Sequence, residues 1–333
     1  MRILAGDIGD TATRLAIYDD DEIIYERQYP SQAVSAVTKH INDFIDGFIA
    51  FQKKSKNAPK ELTIMKACLA IAGVVKNNGV KATNLPWVIE TEDIAASLGM
   101  KVEDVRLVND FEAAAWGITA LPPGQLIKIG GAEPEPDRPK ALIGAGTGLG
   151  EAIIAPVGKR KVRVIATEGG HADFAPVNET QIGLLRHLIK KFGHVSTERV
   201  LSGPGLVNIH RFLIEKNKGR HTTAGIDPAE ITKGAIKDGD AVCIEALGIF
   251  SSIYGSEAGN LALRCLATGG IYIGGGIAAK ILPFLTDGGF RKAFEAKGRM
   301  SATLKKIPVF LVTEPRLGLI GARIIAQGSH APS

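Results

Sequence analysis

Cysteine is scarce in this chain of 333 residues. The three that occur, Cys68, Cys243 and Cys265, are scattered and include no Cys-x-x-Cys pair. This spacing excludes a disulfide framework and argues against a structural zinc site. We therefore expect free thiols, as in proteins of a reducing compartment such as the cytoplasm.

Long apolar runs are also absent. No stretch approaches the roughly 20 apolar residues that cross a bilayer, and Asp7 stands where a signal peptide would need its apolar core. The net charge of +5 could favour anionic ligands, but the basic clusters at residues 53–56 and 159–161 lack the interleaved aromatic residues of a nucleic-acid surface. The sequence thus predicts a cytoplasmic protein that binds neither membranes nor nucleic acids.

The chain does contain enough apolar residues, 45% of the total, to build two globular domains. Two of its segments share one pattern. Residues 3–18 and residues 140–155 each consist of strand formers, a turn rich in Gly and Thr, and strand formers again. We predict two β-hairpins that form a weak internal repeat.

Neither glycine-rich turn matches a common nucleotide-binding motif. Residues 144–150 follow the pattern Gly-x-Gly-x-Gly-x-Gly and lead into a strand, whereas the dinucleotide fingerprint is Gly-x-Gly-x-x-Gly at the start of a helix. The Gly-Lys-Ser/Thr of a Walker loop is absent. A hairpin turn remains, whose backbone N–H groups can face a phosphate together with the hydroxyls of Thr11 and Thr147. The alternative is a pair of ordinary glycine turns.

Asp110 is a candidate general base. It follows an apolar strand, residues 105–108, and precedes an Ala-rich segment of good helix propensity. Ligands of open α/β sheets bind at the carboxyl ends of the strands, so a carboxylate there can accept a proton from a substrate. A structural alternative is equally open, because Asn109 with Glu112 three residues later is typical of a helix N-cap and capping box.

Three further segments carry polar side chains or glycines at turns. In the Glu-Gly-Gly-His motif at residues 168–171 the paired glycines disfavour helix, so we expect Glu168 and His171 to converge across a turn that suits a polyhydroxylated ligand. They could instead be ordinary surface residues. Glu198 is either another ligand-binding carboxylate or a helix first-turn acid. The three glycines at residues 274–276 either let the backbone approach a base or ribose, or make a tight strand-to-helix turn.

Taken together, these stretches resemble the bacterial glucokinases of the hexokinase-like, actin-like ATPase superfamily. The matching motifs lie along nearly the whole chain: Gly-Asp-x-Gly at 6–9, Thr-Asn-Leu-Pro-Trp at 83–87, Val-Asn-Asp-Phe at 108–111, the glycine turn at 144–150, Glu-Gly-Gly-His at 168–171, and segments 194–206, 274–276 and 290–299. The resemblance implies an α/β protein with a two-lobed actin-like ATPase (ribonuclease H-like) fold and a cleft for ATP and sugar between the lobes. It further implies a small domain of residues 1–110, on which a C-terminal helix at about 318–330 packs, and a large domain of residues 111–317.

The resemblance also implies a reaction, the transfer of the γ-phosphoryl group of ATP to the 6-hydroxyl of glucose at the entry to glycolysis, with Asp110 as the general base. Asp7 would hold Mg²⁺ through a water molecule, and the protein would be a homodimer. The sugar hydroxyls would be bound by Asn84, Asn109, Glu168, His171 and Glu198. The nucleotide and its phosphates would be bound by Asp7, Gly9, Thr11, Gly144, Gly146, Thr147, Gly148, Gly274, Gly275 and Gly276.

One position departs from the family pattern. The first phosphate loop of the family usually reads Asp-x-Gly-Gly-Thr, whereas residues 7–11 here read Asp-Ile-Gly-Asp-Thr. The carboxylate of Asp10 has the wrong sign beside a phosphate. Three interpretations follow: an active ATP-dependent glucokinase, a glucose-binding pseudokinase or sensor impaired at this loop, or a kinase for another hexose or phosphoryl donor.

Overall fold

The computed structural model describes residues 1–54, 63–82, 85–158, 161–216 and 225–328. The chain forms two compact units. Unit 1 comprises Met1–Leu121 together with Glu314–Ser333, and unit 2 comprises Pro122–Thr313. Each unit is built around its own sheet and its own apolar core.

Unit 1 begins as a meander of strands and continues with alternating helices and strands. Its elements are β1 (Arg2–Ile8), β2 (Ala12–Asp19), β3 (Glu22–Pro30), α1 (Val37–Lys54), β4 (Lys66–Ile71), β5 (Val75–Lys76), β6 (Gly79–Lys81), β7 (Val88–Glu90), α2 (Thr91–Leu98), β8 (Val105–Asn109) and α3 (Asp110–Ile118). The main sheet has the strand order β3-β2-β1-β4-β8. β1, β2 and β3 pair antiparallel, whereas β4 is parallel to β1, and β8 is parallel to β4. A small separate sheet contains β5, β6 and β7.

Helix α1 illustrates how the sequence pattern determines the packing. Val37, Ile41, Phe44 and Phe48 recur at three- and four-residue steps and are all buried, so one face of the helix packs into the core of unit 1. The pattern predicts a helix over residues 33–51. The helix begins later because the residues just before it form a separate 3-10 turn followed by an extended residue.

Unit 2 is built on the same plan. Its elements are β9 (Leu126–Gly130), β10 (Lys140–Ala145), β11 (Leu149–Gly158), β12 (Lys161–Thr167), α4 (Glu179–Phe192), α5 (Gly203–Lys216), α6 (Pro228–Lys233), α7 (Ala241–Cys265), β13 (Gly270–Gly274), α8 (Leu282–Thr286), α9 (Gly289–Glu295), α10 (Ser301–Lys306) and β14 (Val309–Val312). The sheet order is β12-β11-β10-β13-β14-β9. β10, β11 and β12 pair antiparallel, β13 and β14 extend the sheet in parallel, and β9 pairs antiparallel with β14.

The two sheets share a topology of three antiparallel strands followed by two parallel ones. This confirms the predicted hairpins, which are β1–β2 and β10–β11, and extends the internal repeat to five strands in each unit. The glycine-rich turns, residues 9–11 and residues 146–148, both connect the first two strands of their sheets. They therefore occupy equivalent places in the two units.

The chain returns to unit 1 at its end. Helix α11 (Leu317–Ala326) packs against α3, β1 and β4. This packing needs two glycines, since a Cβ on Gly117 or Gly321 would overlap the backbone of the facing helix. Because α3 packs on α11, the chain divides after Leu121 and not after residue 110, where the resemblance places the domain boundary.

The cysteines agree with the compositional expectation. All three cysteines are free thiols, as expected. Burial raises the pKa of the Cys68 thiol, so this group stays protonated at neutral pH. None of the helices in the described parts of the chain is long and apolar enough to span a membrane.

Candidate active site

The junction of β8 and α3 gives two neighbouring side chains different positions. Asn109 is the N-cap of α3, and its Oδ1 accepts hydrogen bonds from the backbone N–H groups of Phe111 at 2.9 Å and Glu112 at 3.2 Å. Its Nδ2 donates to the carbonyl oxygen of Gly73 at 3.1 Å. The N-cap interpretation is therefore confirmed for Asn109, and Asp110 is the first residue of the helix.

Asp110 belongs to a group of interacting carboxylates in unit 1. Burial, then the negative charge of Asp7 and the smaller effect of Asp10, raise the pKa of Asp110 to about 6. The backbone N–H of Phe111, which donates to Oδ1 of Asp110 at 3.0 Å, acts in the opposite direction. A carboxylate with a pKa near 6 is deprotonated at neutral pH and is a stronger base than an ordinary aspartate. Asp110 can thus accept a proton from a hydroxyl group.

Asp7 lies near the end of β1. Burial raises its pKa, while the positive charge of Arg14 lowers it. The carboxyl group packs against the start of α11, because a Cβ added to Gly318 would lie 2.8 Å from Cγ of Asp7. Gly318, in the first turn of α11, therefore leaves room for the carboxylate of Asp7. The helix dipole at this end of α11 favours an anion.

The turn at residues 9–11 is tied to the segment that follows β3. The N–H of Ser31 donates to the carbonyl oxygen of Thr11 at 3.0 Å, and the Ser31 hydroxyl donates to the carbonyl oxygen of Gly9 at 2.6 Å. Asp10 does not have a positive φ, so its Cβ causes no backbone strain in this turn. Thr11 is exposed and Asp10 is partly exposed.

The equivalent turn of unit 2, residues 146–148, is supported by Glu198. The backbone N–H of Leu149 donates to Oε2 of Glu198 at 2.9 Å, and a Cβ on Gly148 would lie 2.5 Å from the same oxygen. Glu198 lies in a short 3-10 turn and not in the first turn of an α-helix. Thr147 is exposed, like the threonine of the first turn. The carboxylate of Glu198 thus positions the glycine turn.

Tyr254 on α7 supports the same turn. It is buried, its hydroxyl oxygen accepts from the backbone N–H of Ala145 at 3.2 Å, and it lies 3.4 Å from the carbonyl oxygen of Ile143 and 3.3 Å from that of Gly274. One hydroxyl therefore joins the ends of β10 and β13. Sequence reasoning missed this residue, because an aromatic side chain on a long apolar helix is typical of ordinary core packing.

The glycines that follow β13 meet the turn directly. Gly275 has a φ of +85°, and a Cβ there would lie 2.6 Å from the carbonyl oxygen of Ala145. Only glycine fits this combination of conformation and close approach. The structure thus brings residues 144–148 and residues 274–276, two of the segments assigned to the nucleotide by resemblance, together within unit 2.

Glu168 and His171 converge, as the sequence predicts. Their Oε2 and Nε2 atoms are 3.7 Å apart, and both side chains are exposed. Gly169–His171 form one 3-10 turn, so the two side chains converge across a turn and not along an α-helix. A Cβ on Gly170 would overlap the carbonyl oxygen of Leu149, so the motif packs directly on the residue that follows the glycine turn.

The described residues place the candidate groups in two sets. Unit 1 carries Asp7, Gly9, Asp10, Thr11, Asn109 and Asp110. Unit 2 carries Gly144, Gly146, Thr147, Gly148, Glu168, His171, Glu198, Gly274, Gly275 and Gly276. Asn84 lies outside the described residues. In the described ranges, no group of three or more His, Cys, Asp or Glu side chains is arranged to hold a metal ion.

The chain is similar to known proteins in sequence and in structure. The sequence model of the family named Glucokinase matches residues 4–329. The glucokinase of Nostoc sp. (strain PCC 7120) is 39% identical over 97% of this chain and 98% of its own length. The structure of a glucokinase from an Antarctic psychrotroph has a TM-score of 0.82 at 30% identity and covers 98% of this chain and 99% of its own. A ROK family glucokinase from Streptomyces griseus, in complex with glucose and AMPPNP, has a TM-score of 0.65 at 21% identity and covers 98% and 100%.

These comparisons confirm the predicted fold. The structural relatives have the actin-like ATPase fold, which agrees with the repeated sheet topology of units 1 and 2. The family match spans the base candidate, both glycine-rich turns and the Glu-Gly-Gly-His motif. Because the family model and a relative of 39% identity both cover nearly the whole sequence, the chain belongs to the glucokinase family.

Proposed function

We propose that the chain transfers the γ-phosphoryl group of ATP to the 6-hydroxyl of glucose, with Asp110 as the general base. The observation that carries this proposal is the basic carboxylate of Asp110, which directly follows β8, interacts with Asp7 and has a pKa of about 6. Membership of the glucokinase family supports the reaction. Support for the two substrates comes from the Streptomyces griseus relative, which holds glucose and AMPPNP.

The reaction requires one base and accurate positioning. Phosphoryl transfer passes through a loose transition state with charge spread over the γ-phosphoryl oxygens, so the protein contributes mainly in-line placement and charge stabilisation. Asp110 accepts the proton of the 6-hydroxyl as that oxygen attacks the phosphorus atom. The charges of Asp7 and Asp10 make its carboxylate more basic, and its pKa of about 6 still leaves it deprotonated at neutral pH.

The carboxylates of unit 1 fit a magnesium ion. Mg²⁺ takes oxygen ligands and usually binds through one or two carboxylates, water and the phosphates of the substrate. Asp7 lies close enough to Asp110 to raise its pKa, so it supplies a carboxylate in this region. We assign Asp7 to hold the ion through water. When bound, Mg²⁺ neutralises charge on the phosphates.

Sugar recognition is assigned to side chains that can pair with hydroxyl groups. Glu168 and His171 are exposed and 3.7 Å apart, a separation at which both can contact one hexose. Asn109 uses its Oδ1 in the helix cap and offers an N–H of Nδ2, whereas Glu198 uses Oε2 for the glycine turn and offers Oε1. Asn84 is assigned to the sugar on resemblance alone. A site built to pair several hydroxyls discriminates against sugars that leave any of these groups unpaired.

The phosphates are assigned to the two equivalent turns, whose exposed Thr11 and Thr147 hydroxyls add donors to the backbone N–H groups. The base or ribose of ATP is assigned to residues 274–276.

We also propose a cytoplasmic homodimer, on the resemblance to the family. Light scattering is expected to give twice the mass of one chain, and a monomer would contradict this part.

A coupled assay tests the substrate assignment. Glucose, mannose, fructose and N-acetylglucosamine are each offered with ATP or polyphosphate. The highest kcat/KM is expected for glucose with ATP. A higher value for another sugar or another donor would replace the proposed substrates and leave the family membership untouched.

Substituting the Glu-Gly-Gly-His motif is expected to weaken glucose binding. Glu168→Gln removes the charge of one acceptor and His171→Ala removes the imidazole, and a hydrogen bond to a charged group is worth roughly 1.5 to 3 kcal/mol, or about tenfold to more than a hundredfold in affinity. ATP affinity is expected to change by less than about threefold. Calorimetric titration of both ligands measures this difference. An equal loss of ATP affinity would show that the motif does not act on the sugar alone.

Asp10→Gly is expected to raise kcat/KM for ATP by at least about tenfold. A carboxylate about 4 Å from a phosphate charge costs on the order of 1 kcal/mol in bulk water and about 4 kcal/mol at an effective dielectric near 20. Asp10→Asn removes the charge but keeps the side chain, so it separates electrostatic repulsion from crowding. If steady-state kinetics show unchanged or lower activity in both variants, the enzyme tolerates or uses the carboxylate of Asp10.

A further inference from the structure

A buried carboxyl group lies directly beneath the Glu-Gly-Gly-His motif. Glu151 on β11 is only 1% exposed. Its Oε1 has no hydrogen-bond partner among the described residues, and its Oε2 lies 3.7 Å from Nη1 of Arg264. The proposed reaction does not use this group, and a buried polar atom without a partner is costly enough to need an explanation.

Glu151 contacts the motif through both its backbone and its side chain. The Thr167 hydroxyl donates to the carbonyl oxygen of Glu151 at 3.1 Å, and the N–H of Gly169 donates to the Thr167 hydroxyl oxygen at 3.2 Å. A Cβ on Gly169 would overlap Oε2 of Glu151. The carboxyl group therefore packs against the residue that directly follows Glu168.

On its other side Glu151 faces α7. Nη1 of Arg264 is 2.8 Å from Oε1 of Glu257, and Nδ2 of Asn260 donates to Oε2 of Glu257 at 2.9 Å. Lys297 donates in turn to Asn260 at 2.6 Å. Arg264 therefore lies closer to Glu257 than to Glu151.

We propose that Glu151 is a positioning residue for the sugar-binding motif: its carboxyl group, packed between Gly169 and the Glu257–Arg264 pair, fixes the separation of Glu168 and His171. This inference rests on the proposed function and assigns a further residue to the same sugar site. We place Glu151 in contact with neither the sugar nor the nucleotide. It acts through the conformation of residues 168–171.

The charge state of Glu151 gives this role a measurable signature. Burial and the charge of Glu257 raise the pKa of Glu151 to about 7, against the opposing effect of Arg264. Below that pH the neutral carboxyl group packs on Gly169. Above it, the repulsion by Glu257 exceeds the attraction by Arg264 and displaces the anion from this position.

Other titratable groups also lie around Glu151 in the described parts of the chain. On α7 these are Tyr254 and Cys265, and the charge of Glu151 raises the pKa of both. The motif itself carries Glu168 and His171. Lys297 is affected by Glu257 and Arg264 on the far side of the cluster. The pKa of Glu151 thus reflects its burial and the Glu257–Arg264 pair.

Two substitutions test the proposal. Glu151→Ala removes the group that packs on Gly169 and is expected to raise KM for glucose by about tenfold, with kcat and KM for ATP within about twofold of the wild type. Glu151→Gln has the size of the neutral acid and cannot ionise. It is expected to keep the low-pH KM for glucose and to abolish the rise in this KM that the wild type shows above pH 7.

Ser251→Ala is the matched control. Ser251 is buried on α7, the helix that carries Glu257 and Arg264, and its hydroxyl donates to the carbonyl oxygen of Phe284 at 2.6 Å, away from the motif. The positioning role is overturned if Glu151→Ala raises KM for glucose no more than Ser251→Ala does. It is also overturned if Glu151→Gln keeps the wild-type pH dependence, a comparison that remains available if Glu151→Ala does not fold.

Direct titration with glucose separates this inference from the proposed function. A wild-type protein that does not bind glucose contradicts the proposed function. A wild-type protein that binds glucose at pH 6.5 and at pH 8.5 with the same affinity as Glu151→Gln contradicts the positioning role alone.

Discussion

Replacing Asp110 with Asn is expected to lower kcat by roughly 10² to 10⁴, the usual range for a lost general base. Asn keeps the shape of the side chain but cannot accept the proton of the sugar hydroxyl. The affinities for glucose and ATP are expected to change by less than about threefold, because the base acts in the transition state and not in ground-state binding. Steady-state kinetics and calorimetric titrations measure the two effects separately.

The same substitution is expected to raise the melting temperature at pH 8. The pKa of Asp110 rises from 3.8 to about 6 on folding, so the folded state is destabilised progressively as the pH rises through this window and fully above it. Below the window the group is protonated in both states and the penalty disappears. Asn at this position never ionises and therefore removes the penalty at pH 8.

Asn109→Ala is the matched control, because loss of the N-cap is expected to cost about 1 kcal/mol and lower the melting temperature. The two neighbouring substitutions should therefore shift stability in opposite directions. If Asp110→Asn has near wild-type turnover and a lower melting temperature, Asp110 stabilises the start of α3 and is not the general base.

Gly275→Ala is expected to have the largest effect on stability. Its φ of +85° costs a residue with a Cβ roughly 1 to 2 kcal/mol. Forcing the methyl group against the carbonyl oxygen of Ala145, 2.6 Å away, adds roughly 1 to 3 kcal/mol. The free energy of unfolding should fall by about 2 to 5 kcal/mol, the sum of these two contributions. Denaturant titration measures this change.

Gly276→Ala provides a comparison one residue away. A Cβ on Gly276 meets nothing within 4 Å, so this variant should unfold at nearly the wild-type denaturant concentration. Because Tyr254 and Gly275 both contact Ala145 beside the glycine turn, Gly275→Ala is also expected to weaken ATP binding. Equal stability of the two variants would contradict the packing argument. Reduced stability with unchanged ATP affinity would remove Gly275 from the nucleotide site.

Much of the site could be predicted because its signals are local in the sequence. An asparagine two residues before a helical N–H caps that helix through short-range geometry, as Asn109 does. Glu168 and His171 are three residues apart in one turn, so their convergence follows from the chain itself. The two hairpins are likewise encoded by strand formers on either side of a glycine turn.

The supporting residues could not be predicted, because their partners are distant in sequence. Tyr254 lies 109 residues from Ala145, and nothing in an apolar helix indicates which aromatic side chain carries a hydrogen-bonded hydroxyl. Glu151 reads as one polar residue after a glycine turn, and only the paired strands reveal that it is buried beside Gly169. The boundary after Leu121 depends on the packing of α3 on α11, which joins residues from the two ends of the chain.

The most direct test of the central claim is a ³¹P NMR spectrum of the purified protein incubated with glucose, ATP and Mg²⁺, recorded beside the same mixture with Asp110→Asn. The wild type is expected to convert ATP to ADP with an equal amount of glucose 6-phosphate. The variant is expected to form product more slowly than the wild type by a factor of roughly 10² to 10⁴. Release of inorganic phosphate without a sugar phosphate, or equal product from both proteins, would contradict the assignment of Asp110 as the base of a glucose kinase.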